Sequence, residues 1–264
     1  MKKFELIPGS KINWLGHTLY RIKACISFTT ASGDEVNEGD LGGWVEKEGN
    51  LSQTGRAWVC GDAKVFGDAK VFDNAKVYDN AQIYGKAAVF DNAQIYGNAE
   101  VSVKAKVFGN ADVFGEAKVY DIAAVFDNAK VYDNAQIYGK AAVFDNAQIY
   151  GNAEVSGKAK IHGNAEVFGE AKAYDIAAVF NNAKVYDNAQ IYNSAAVFDN
   201  AQIYGSAEVS VKAKVHGNAK VWGDVEVSGD AEVSGNAKVR GDAKVLGEAK
   251  VYGNAEVGSD ANLF

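Results

Sequence analysis

From Gly61 to Phe264 the chain repeats one six-residue phrase thirty-four times, with no residue inserted or deleted. The phrase reads Gly or Asp, then Asn, Asp or Lys, then Ala, a polar residue, Val or Ile, and an aromatic residue or Ser, as in GDAKVF at Gly61. A short fixed period is typical of a solenoid, in which stacked copies bury a core that one copy lacks. The pattern therefore predicts stacked coils without the long loops that hold most active sites.

The inner and outer sides of each strand are distinguished by the third to sixth positions of the phrase. In the first copy these are Ala63, Lys64, Val65 and Phe66. Strand side chains alternate between faces, so Ala63 and Val65 share one side and Lys64 and Phe66 the other. Because the fourth position is so often Lys, Gln or Glu, we expect positions three and five to form the core. Positions one and two, rich in Gly, Asn and Asp, then form corners, since these residues tolerate left-handed backbone angles.

Every third copy has Asn at its second position, which indicates eighteen residues per coil. These asparagines are Asn74, Asn92, Asn110, Asn128, Asn146, Asn164, Asn182, Asn200, Asn218, Asn236 and Asn254. A coil of three strands stacks them at one corner, where we expect their side-chain amides to hydrogen-bond along the column as a structural ladder. The alternative interpretation is that the column lines a binding groove.

Residues 1–48 precede the repeat and are predicted to form a small N-terminal β cap, because a bare sheet edge invites aggregation. The apolar residues of this segment include Phe4, Leu6, Ile7, Leu19, Tyr20, Ile22 and Ile26. Residues 49–264 are then one all-β solenoid domain of about twelve coils. The last copy, SDANLF, is followed by no capping helix. We therefore expect the uncapped C-terminal coil either to tolerate exposure or to stack on another chain.

The Ala-x-Val hexads resemble those of the hexapeptide-repeat proteins, and the segments before them narrow the resemblance. HTLYRIKACISF begins at His17 and GDLGGWVEKEGNLSQTGRAWV begins at Gly39. Both are similar to the opening of the YdcK-like bacterial proteins. The resemblance implies a single-stranded, left-handed parallel β-helix, and the left hand follows from the resemblance alone, because parallel crossovers are otherwise nearly always right-handed. It implies little about activity, since one fold supports unrelated functions.

The composition favours a globular protein and disfavours several partners. The chain has 264 residues, 48% of them hydrophobic, and a net charge of −7. An acidic chain without clustered Lys and Arg is a poor match for nucleic acid, and no apolar run is long enough for a membrane span. MKKFELIPGS lacks the apolar run of a secretory leader, and Cys25 and Cys60 are too few for a disulfide framework. We therefore expect a cytoplasmic protein with reduced thiols.

One of the three outward faces, here named the Phe face, is more apolar than the other two. Its sixth positions hold Phe72, Phe90, Phe108, Phe126, Phe144, Phe180 and Phe198, with His162 and His216 in two coils. Its fourth positions are often Ala, as at Ala88, Ala124, Ala142, Ala178 and Ala196, and its corner holds Lys86, Lys104, Lys140, Lys158 and Lys212. The other faces, which begin at Lys64 and Lys76, cycle Lys, Gln and an acidic residue.

The Phe face allows two interpretations. In the first, the rings stack on one another from coil to coil and have no further role. In the second, the face packs against another chain, because a monomer seldom exposes an apolar strip larger than a few hundred Å². We therefore predict a non-catalytic structural or interaction protein that associates with itself or with a protein partner through the Phe face or the C-terminal coil. No cofactor and no metal are expected.

Two other functions remain open from the sequence. Hexapeptide-repeat relatives include acyltransferases in which a His acts as general base at a subunit interface, so an enzyme that uses His162 or His216 is the first alternative. Recognition of a polysaccharide by outward rings such as Tyr84, Tyr138 and Trp222 is the second. We also note Ala173, which occupies a fifth position where almost every copy has Val or Ile. An inward Ala173 predicts a small void in the core.

Overall fold

The computed structural model describes all residues, 1–264, and shows an all-β parallel solenoid of about 12 turns with an N-terminal strand region. No α-helix is present, and a single 3-10 turn lies at Glu48–Asn50. The residues fall into two compact units, Met1–Asp133 and Asn134–Phe264. The predicted all-β solenoid is therefore confirmed.

Each hexad forms one short strand and one corner. Ala63 and Val65 are completely buried, whereas Phe72 and Tyr84 in outward sixth positions keep partial exposure. Corner residues in the first position adopt the left-handed backbone region, as at Asp73 with φ 55°. Asp and Gly are common there because the first has a short polar side chain and the second no Cβ. The inward assignment of positions three and five is thus confirmed.

Parallel strand pairing sets residues eighteen positions apart in register. Gln82 N–H donates to the carbonyl oxygen of Ala99 at 2.9 Å, and Tyr84 N–H to that of Val101 at 3.0 Å. Gln82 stands in register with Glu100 on the next coil and with Lys64 on the previous one. Eighteen residues per coil, the spacing predicted from the asparagines, is therefore the observed period.

In the unit Met1–Asp133, antiparallel strands lead into the solenoid. They are β1 (Phe4–Trp14), β2 (His17–Ala24), β3 (Phe28–Thr29), β4 (Glu35–Val36) and β5 (Leu41–Val45). β2 pairs with β1 on one side and with β5 on the other, both antiparallel, and β5 pairs in parallel with Lys64–Val65. Phe4, Leu19 and Ile22 are fully buried in this region. The N-terminal strands therefore cover the edge of the first coil on one face.

Parallel pairing begins before residue 49. Trp44 and Val45 of β5 stand in register with Lys64 and Val65, and Leu51 forms an isolated parallel bridge with Val71. The first coil therefore includes β5 although its residues do not follow the hexad phrase. Gly43 occupies this coil because a Cβ there would lie 2.7 Å from the carbonyl oxygen of Ala63.

The remaining strands of the first unit form three faces, each built from parallel strands. The Lys64 face contains Lys64–Val65, Gln82–Ile83, Glu100–Val101 and Lys118–Val119. The Phe face contains Lys70–Val71, Ala88–Val89, Lys106–Val107 and Ala124–Val125. The Lys76 face contains Trp58–Val59, Lys76–Val77, Gln94–Ile95, Asp112–Val113 and Lys130–Val131.

The unit Asn134–Phe264 has three faces of the same kind, named here by the corresponding faces of the first unit. Its Lys64-face strands are Gln136–Ile137, Glu154–Val155, Lys172–Ala173, Gln190–Ile191, Glu208–Val209, Glu226–Val227, Lys244–Val245 and Asn262–Leu263. Its Phe-face strands are Ala142–Val143, Lys160–Ile161, Ala178–Val179, Ala196–Val197, Lys214–Val215, Glu232–Val233 and Lys250–Val251. Its Lys76-face strands are Gln148–Ile149, Glu166–Val167, Lys184–Val185, Gln202–Gly205, Lys220–Gly223, Lys238–Gly241 and Glu256–Val257. In the last coil Tyr252 and Phe264 are largely exposed.

Candidate functional site: the Phe face and its edges

The Phe face of the first unit is a column of stacked rings. Phe72, Phe90, Phe108 and Phe126 lie with successive centroids 4.8–4.9 Å apart and with ring planes within 7° of parallel. This spacing is the separation of neighbouring parallel strands. Stacking covers the faces of the rings and turns their edges outward, which leaves each ring partly buried.

The second unit has its own column with two histidines in it. Phe144, His162, Phe180, Phe198 and His216 stack with centroids 4.6–5.1 Å apart and planes within 4°. An imidazole therefore fits the same position as a benzyl ring. The column of the second unit adds a titratable group without interrupting the stack.

Small side chains and rings alternate across each coil of the Phe face. Ala88 and Phe90 point outward from one strand, and Ala124 and Phe126 from another; all four are partly exposed. Lys70 and Lys106 hold the alternate fourth positions and are exposed. The strands that begin at Ala88 and Ala124 therefore have a small outward side chain at the start and a large one, Phe90 or Phe126, at the end.

The two corners that border the Phe face differ in charge. We call the corner before its strands the leading edge, which in the first unit runs from Gly67–Asp68 through Lys86 and Lys104 to Asp121–Ile122. The corner after its strands is the trailing edge, which begins at Asp73–Asn74 and ends at Asp127–Asn128. Lys86 and Lys104 are exposed, and Asp68 is ion-paired with Lys47 at 2.9 Å. The trailing edge has Asp residues and no Lys, so it is acidic, whereas the leading edge carries both Lys and Asp.

Exposed apolar side chains also gather on the leading edge. Val103 is 45% exposed and Ile122 is 54% exposed in the first unit, and Ile176 and Val211 are similarly exposed in the second. Val103 and Val211 have φ of 61° and 62°. A β-branched residue in the left-handed region is strained, and a strained residue is often part of a functional surface. In the sequence these two residues are recognisable as Val at a corner position where most copies have Gly or Asp. The sequence prediction of the Phe face did not include them.

The asparagine column hydrogen-bonds along its length within each unit. Asn74 Nδ2 donates to Asn92 Oδ1 at 3.1 Å, Asn92 Nδ2 to Asn110 Oδ1 at 3.0 Å, and Asn110 Nδ2 to Asn128 Oδ1 at 3.0 Å. In the second unit the same bonds run from Asn146 through Asn164 to Asn254. Each asparagine inside the column thus donates one hydrogen bond to the next coil and accepts one from the previous coil. These hydrogen bonds give the column the structural role of a ladder.

A polar groove of about 350 Å³ lies beside this column in the first unit. Its lining residues are Ala31, Ser32, Asn74, Lys76, Asn92, Gln94, Asn110 and Asp112. Lys76 Nζ donates to Asp34 Oδ2 at 2.6 Å, and this bond lowers the pKa of the Asp34 carboxyl. Burial raises the pKa of the Asp112 carboxyl. The ion pair connects the turn between β3 and β4 to the Lys76 face. The groove therefore lies where these two elements meet.

The histidines do not assemble into one catalytic group. His162 Nδ1 lies 3.6 Å from Asp145 Oδ2, and His216 Nε2 lies 2.8 Å from Glu232 Oε1. The bond to His216 lowers the pKa of the Glu232 carboxyl. His17, in β2, is 2.9 Å from Glu46 Oε1 in the N-terminal region. His162 and His216 lie on an open wall rather than inside a cavity.

Neither thiols nor metal ligands form a reactive cluster. Cys25 and Cys60 are both free, and burial raises the pKa of the Cys60 thiol, which makes its thiolate less available. No group of three or more His, Cys, Asp or Glu side chains is placed to hold a metal ion. No helix in the protein has the length and apolar character of a membrane span.

The comparisons with known proteins agree with this architecture. Residues 147–163 match the family model described as the YdcK beta solenoid repeat. These residues run from the Gln148–Ile149 strand through Glu154–Val155 to the Lys160–Ile161 strand, one strand from each face. No curated protein matches the chain. The repeat match, together with the solenoid of about 12 turns, supports the conclusion that this chain is a YdcK-like β-solenoid protein.

Proposed function

We propose that the protein is a non-catalytic interaction protein that uses the Phe face and its leading edge to bind a protein surface. The observation that supports the proposal most directly is the position of the exposed apolar residues. Apart from residues of the N-terminal strand region and the last coil, all the large exposed apolar side chains, Val103, Ile122, Ile176 and Val211, are on the leading edge.

The backbone at Val103 adds a physical argument. A non-glycine residue in the left-handed region costs about 1–2 kcal/mol, and a β-branched one is among the least favoured there. In the second unit one equivalent corner has Gly157, with φ 65°, which avoids this strain, and the other has Val211, with φ 62°, which repeats it. Val103 therefore lowers fold stability and exposes apolar surface at the same time. A bound partner that covers Val103 compensates for both effects.

The alternative functions draw less support from the geometry. A sugar ring stacks on an open aromatic face, whereas Tyr84 stacks on Phe66 with centroids 5.1 Å apart and Trp222 stacks on Tyr204 at 5.6 Å, which covers one face of each ring. An acyltransferase needs a base positioned beside its substrate, usually in a cavity. His216 instead stacks on Phe198 and pairs with Glu232 on an open wall.

The proposal is tested by the native mass of the chain in extracts of cells that naturally express it. The test variant carries Phe90→Ser, Phe126→Ser and Ile122→Ser on the Phe face and leading edge. The control carries Tyr96→Ser and Tyr132→Ser, which remove stacked rings from the Lys76 face instead. We expect a complex larger than one chain for the wild type and the control, and a smaller mass for the test variant. Equal masses for all three proteins would contradict the proposal.

A further inference from the structure

We propose that the Phe face of the unit Met1–Asp133 binds the same face of a second copy of this chain, with the two solenoid axes parallel. The inference rests on the proposed function and adds the identity and orientation of the partner.

The shape of the face is complementary to itself in one orientation only. In chain order, each strand of the face runs from the leading edge past position four to position six and the trailing edge. A two-fold axis parallel to the solenoid axis reverses this order in the facing copy. Ala88 then meets Phe90 of the second copy, and Ala124 meets Phe126 of the second copy. Small groups opposite large ones allow close packing, as in other well-packed interfaces.

The opposite orientation gives a worse fit. A two-fold axis that makes the solenoids antiparallel keeps the order across the face unchanged. Rings then meet rings and alanines meet alanines, so contact at the rings leaves a gap over Ala88 and Ala124. A gap of that kind loses dispersion contacts on both of its walls.

Charge selects the same orientation. Lys86 and Lys104 lie on the leading edge, and Lys70 and Lys106 lie beside it in the fourth positions. Their acidic neighbours are Asp68, which is paired with Lys47, and Asp121 at the end of the edge. The trailing edge has Asp73, Asp91 and Asp127. A parallel pair sets Lys86 opposite Asp91 of the second copy, whereas an antiparallel pair sets the two acidic trailing edges against each other, which opposes association.

The exposed lysines of the face fit a parallel pair as well. In that arrangement Lys70 meets Phe72 of the second copy, and Lys106 meets Phe108 of the second copy. A Lys side chain lays its apolar stem along such a surface and keeps its ammonium in water or over a ring. Val103 and Ile122 then lie at the rim, where the facing trailing edge covers them.

The second unit repeats the pairing of small and large residues. Where the fourth position of its Phe face is Ala, the sixth is Phe, at Ala142 and Phe144, Ala178 and Phe180, and Ala196 and Phe198. Where the sixth is His, at His162 and His216, the fourth is Lys. In the first unit Lys70 and Lys106 precede Phe72 and Phe108, so a fourth-position Lys occurs with either ring, whereas a fourth-position Ala occurs with Phe.

The first experiment measures the mass of the purified full chain by light scattering over a concentration series. We expect a dimer that dissociates on dilution. High salt should raise its dissociation constant, because the edge contacts are charged and salt screens them. Lys86→Glu is expected to raise the dissociation constant roughly fivefold, because two symmetric pairs are lost. The control Glu116→Lys, on the exposed corner away from the Phe face, is expected to leave it unchanged.

The second experiment determines the orientation by cross-linking mixtures of single-cysteine variants. In a background of Cys25→Ser and Cys60→Ser, a tagged Lys86→Cys chain is mixed with an untagged Asn92→Cys chain and treated with a short bis-maleimide. A parallel pair places these residues of the two copies at facing edges of the same coil. We expect efficient cross-linking of this mixture, little between two Lys86→Cys chains, and none for Asn80→Cys on the far corner. Circular dichroism confirms that each variant keeps its β structure.

Each result decides the proposal. A dimer with cross-links between leading and trailing edges supports it. Cross-links between two leading edges would overturn the parallel orientation, and a trimer or a monomer at all concentrations would overturn the two-fold pairing. If the purified chain is monomeric while the complex in extracts depends on the Phe face, the proposed function stands and this inference fails.

Discussion

The rings of Tyr96 and Phe114 stack face to face, with their centroids 4.8 Å apart and their planes 2° from parallel. Phe114 makes the same contact with Tyr132 on its other side, at 4.9 Å. These three residues occupy sixth positions of the Lys76 face in successive coils. The side chains of neighbouring coils therefore form a column outside the core, in addition to the buried column of Ala and Val.

Removal of one ring from this column is expected to destabilise the unit. Phe114→Ala loses two stacked contacts, each worth about 0.5–1.5 kcal/mol beyond its buried area, so the free energy of unfolding should fall by about 1–3 kcal/mol. Phe114→Tyr is the control, because Tyr96 and Tyr132 show that the site accepts a phenol. Urea unfolding measures both variants. If Phe114→Ala unfolds at the same urea concentration as Phe114→Tyr, the stacks contribute no stability.

Filling the void at Ala173 is expected to stabilise the second unit. Ala173 is fully buried and stands in register with Val155 and Ile191. Ala173→Val adds two carbon atoms to this space, and the gain should be about 1 kcal/mol, since each buried methylene contributes about 0.8 kcal/mol and some strain offsets it. Calorimetry should show a higher melting temperature.

The matched control for this variant is Ala171→Val. Ala171 is also fully buried, but it occupies position three, where nearly every copy has Ala, so we expect no spare volume there. Overpacking of this kind typically costs about 1–3 kcal/mol. A rise in melting temperature for Ala171→Val, or a fall for Ala173→Val, would show that positions three and five do not differ in free space as we expect.

Relief of backbone strain at Val103 is expected to raise stability although apolar contacts are removed. Val103 has φ 61°, and Gly adopts this region readily. Val103→Gly should therefore increase the free energy of unfolding by about 1 kcal/mol in dilute protein. Val101→Gly should instead lower it by about 2 kcal/mol or more, because Val101 is fully buried in the same coil. Chemical denaturation distinguishes the two, and equal losses would argue against strain at Val103.

A buried lysine gives the N-terminal region a defined pH dependence. Lys3 is buried, its Nζ donates to the carbonyl oxygen of Ala57 at 2.9 Å, and burial lowers the pKa of its ammonium to about 8. Between pH 8 and 10.5 the unfolded chain holds this proton and the folded chain releases it, so stability rises with pH across that window. Below pH 8 both states are protonated and the contribution is constant.

The measurement is urea unfolding at pH 7, 8 and 9, which stays below the range in which tyrosines ionise. We expect the wild type to gain about 1 kcal/mol between pH 7 and 9, since one pKa unit corresponds to 1.36 kcal/mol. Lys3→Met should remove most of this gain, because Met fills a similar volume and does not titrate. A wild type and a Lys3→Met variant with the same pH dependence would refute this assignment.

Some features of the protein followed directly from the residue pattern. The alternation of positions three to six predicted which side chains are buried, because successive strand residues point to opposite sides. Asn74 and Asn92 revealed the eighteen-residue coil, since an invariant corner residue must recur once per coil. The Phe face was also visible, because the sixth positions with Phe recur at the same spacing.

Other features required the tertiary structure. The sequence does not show that β5 enters the first coil, because Gly43 breaks the phrase and its place is set by close contact with Ala63. Nor does it show how much of each outward ring the neighbouring coils cover.

The local pattern thus determined the inward and outward sides of every hexad, because strand alternation is a property of consecutive residues. Stacking between coils determined which outward side chains remain accessible to a partner. It covered the faces of Phe90 and Tyr96 and left Val103 and Ile122 exposed on one edge. Exposure depends on residues eighteen positions away and on the backbone angle at each corner, and only the folded coils bring these together.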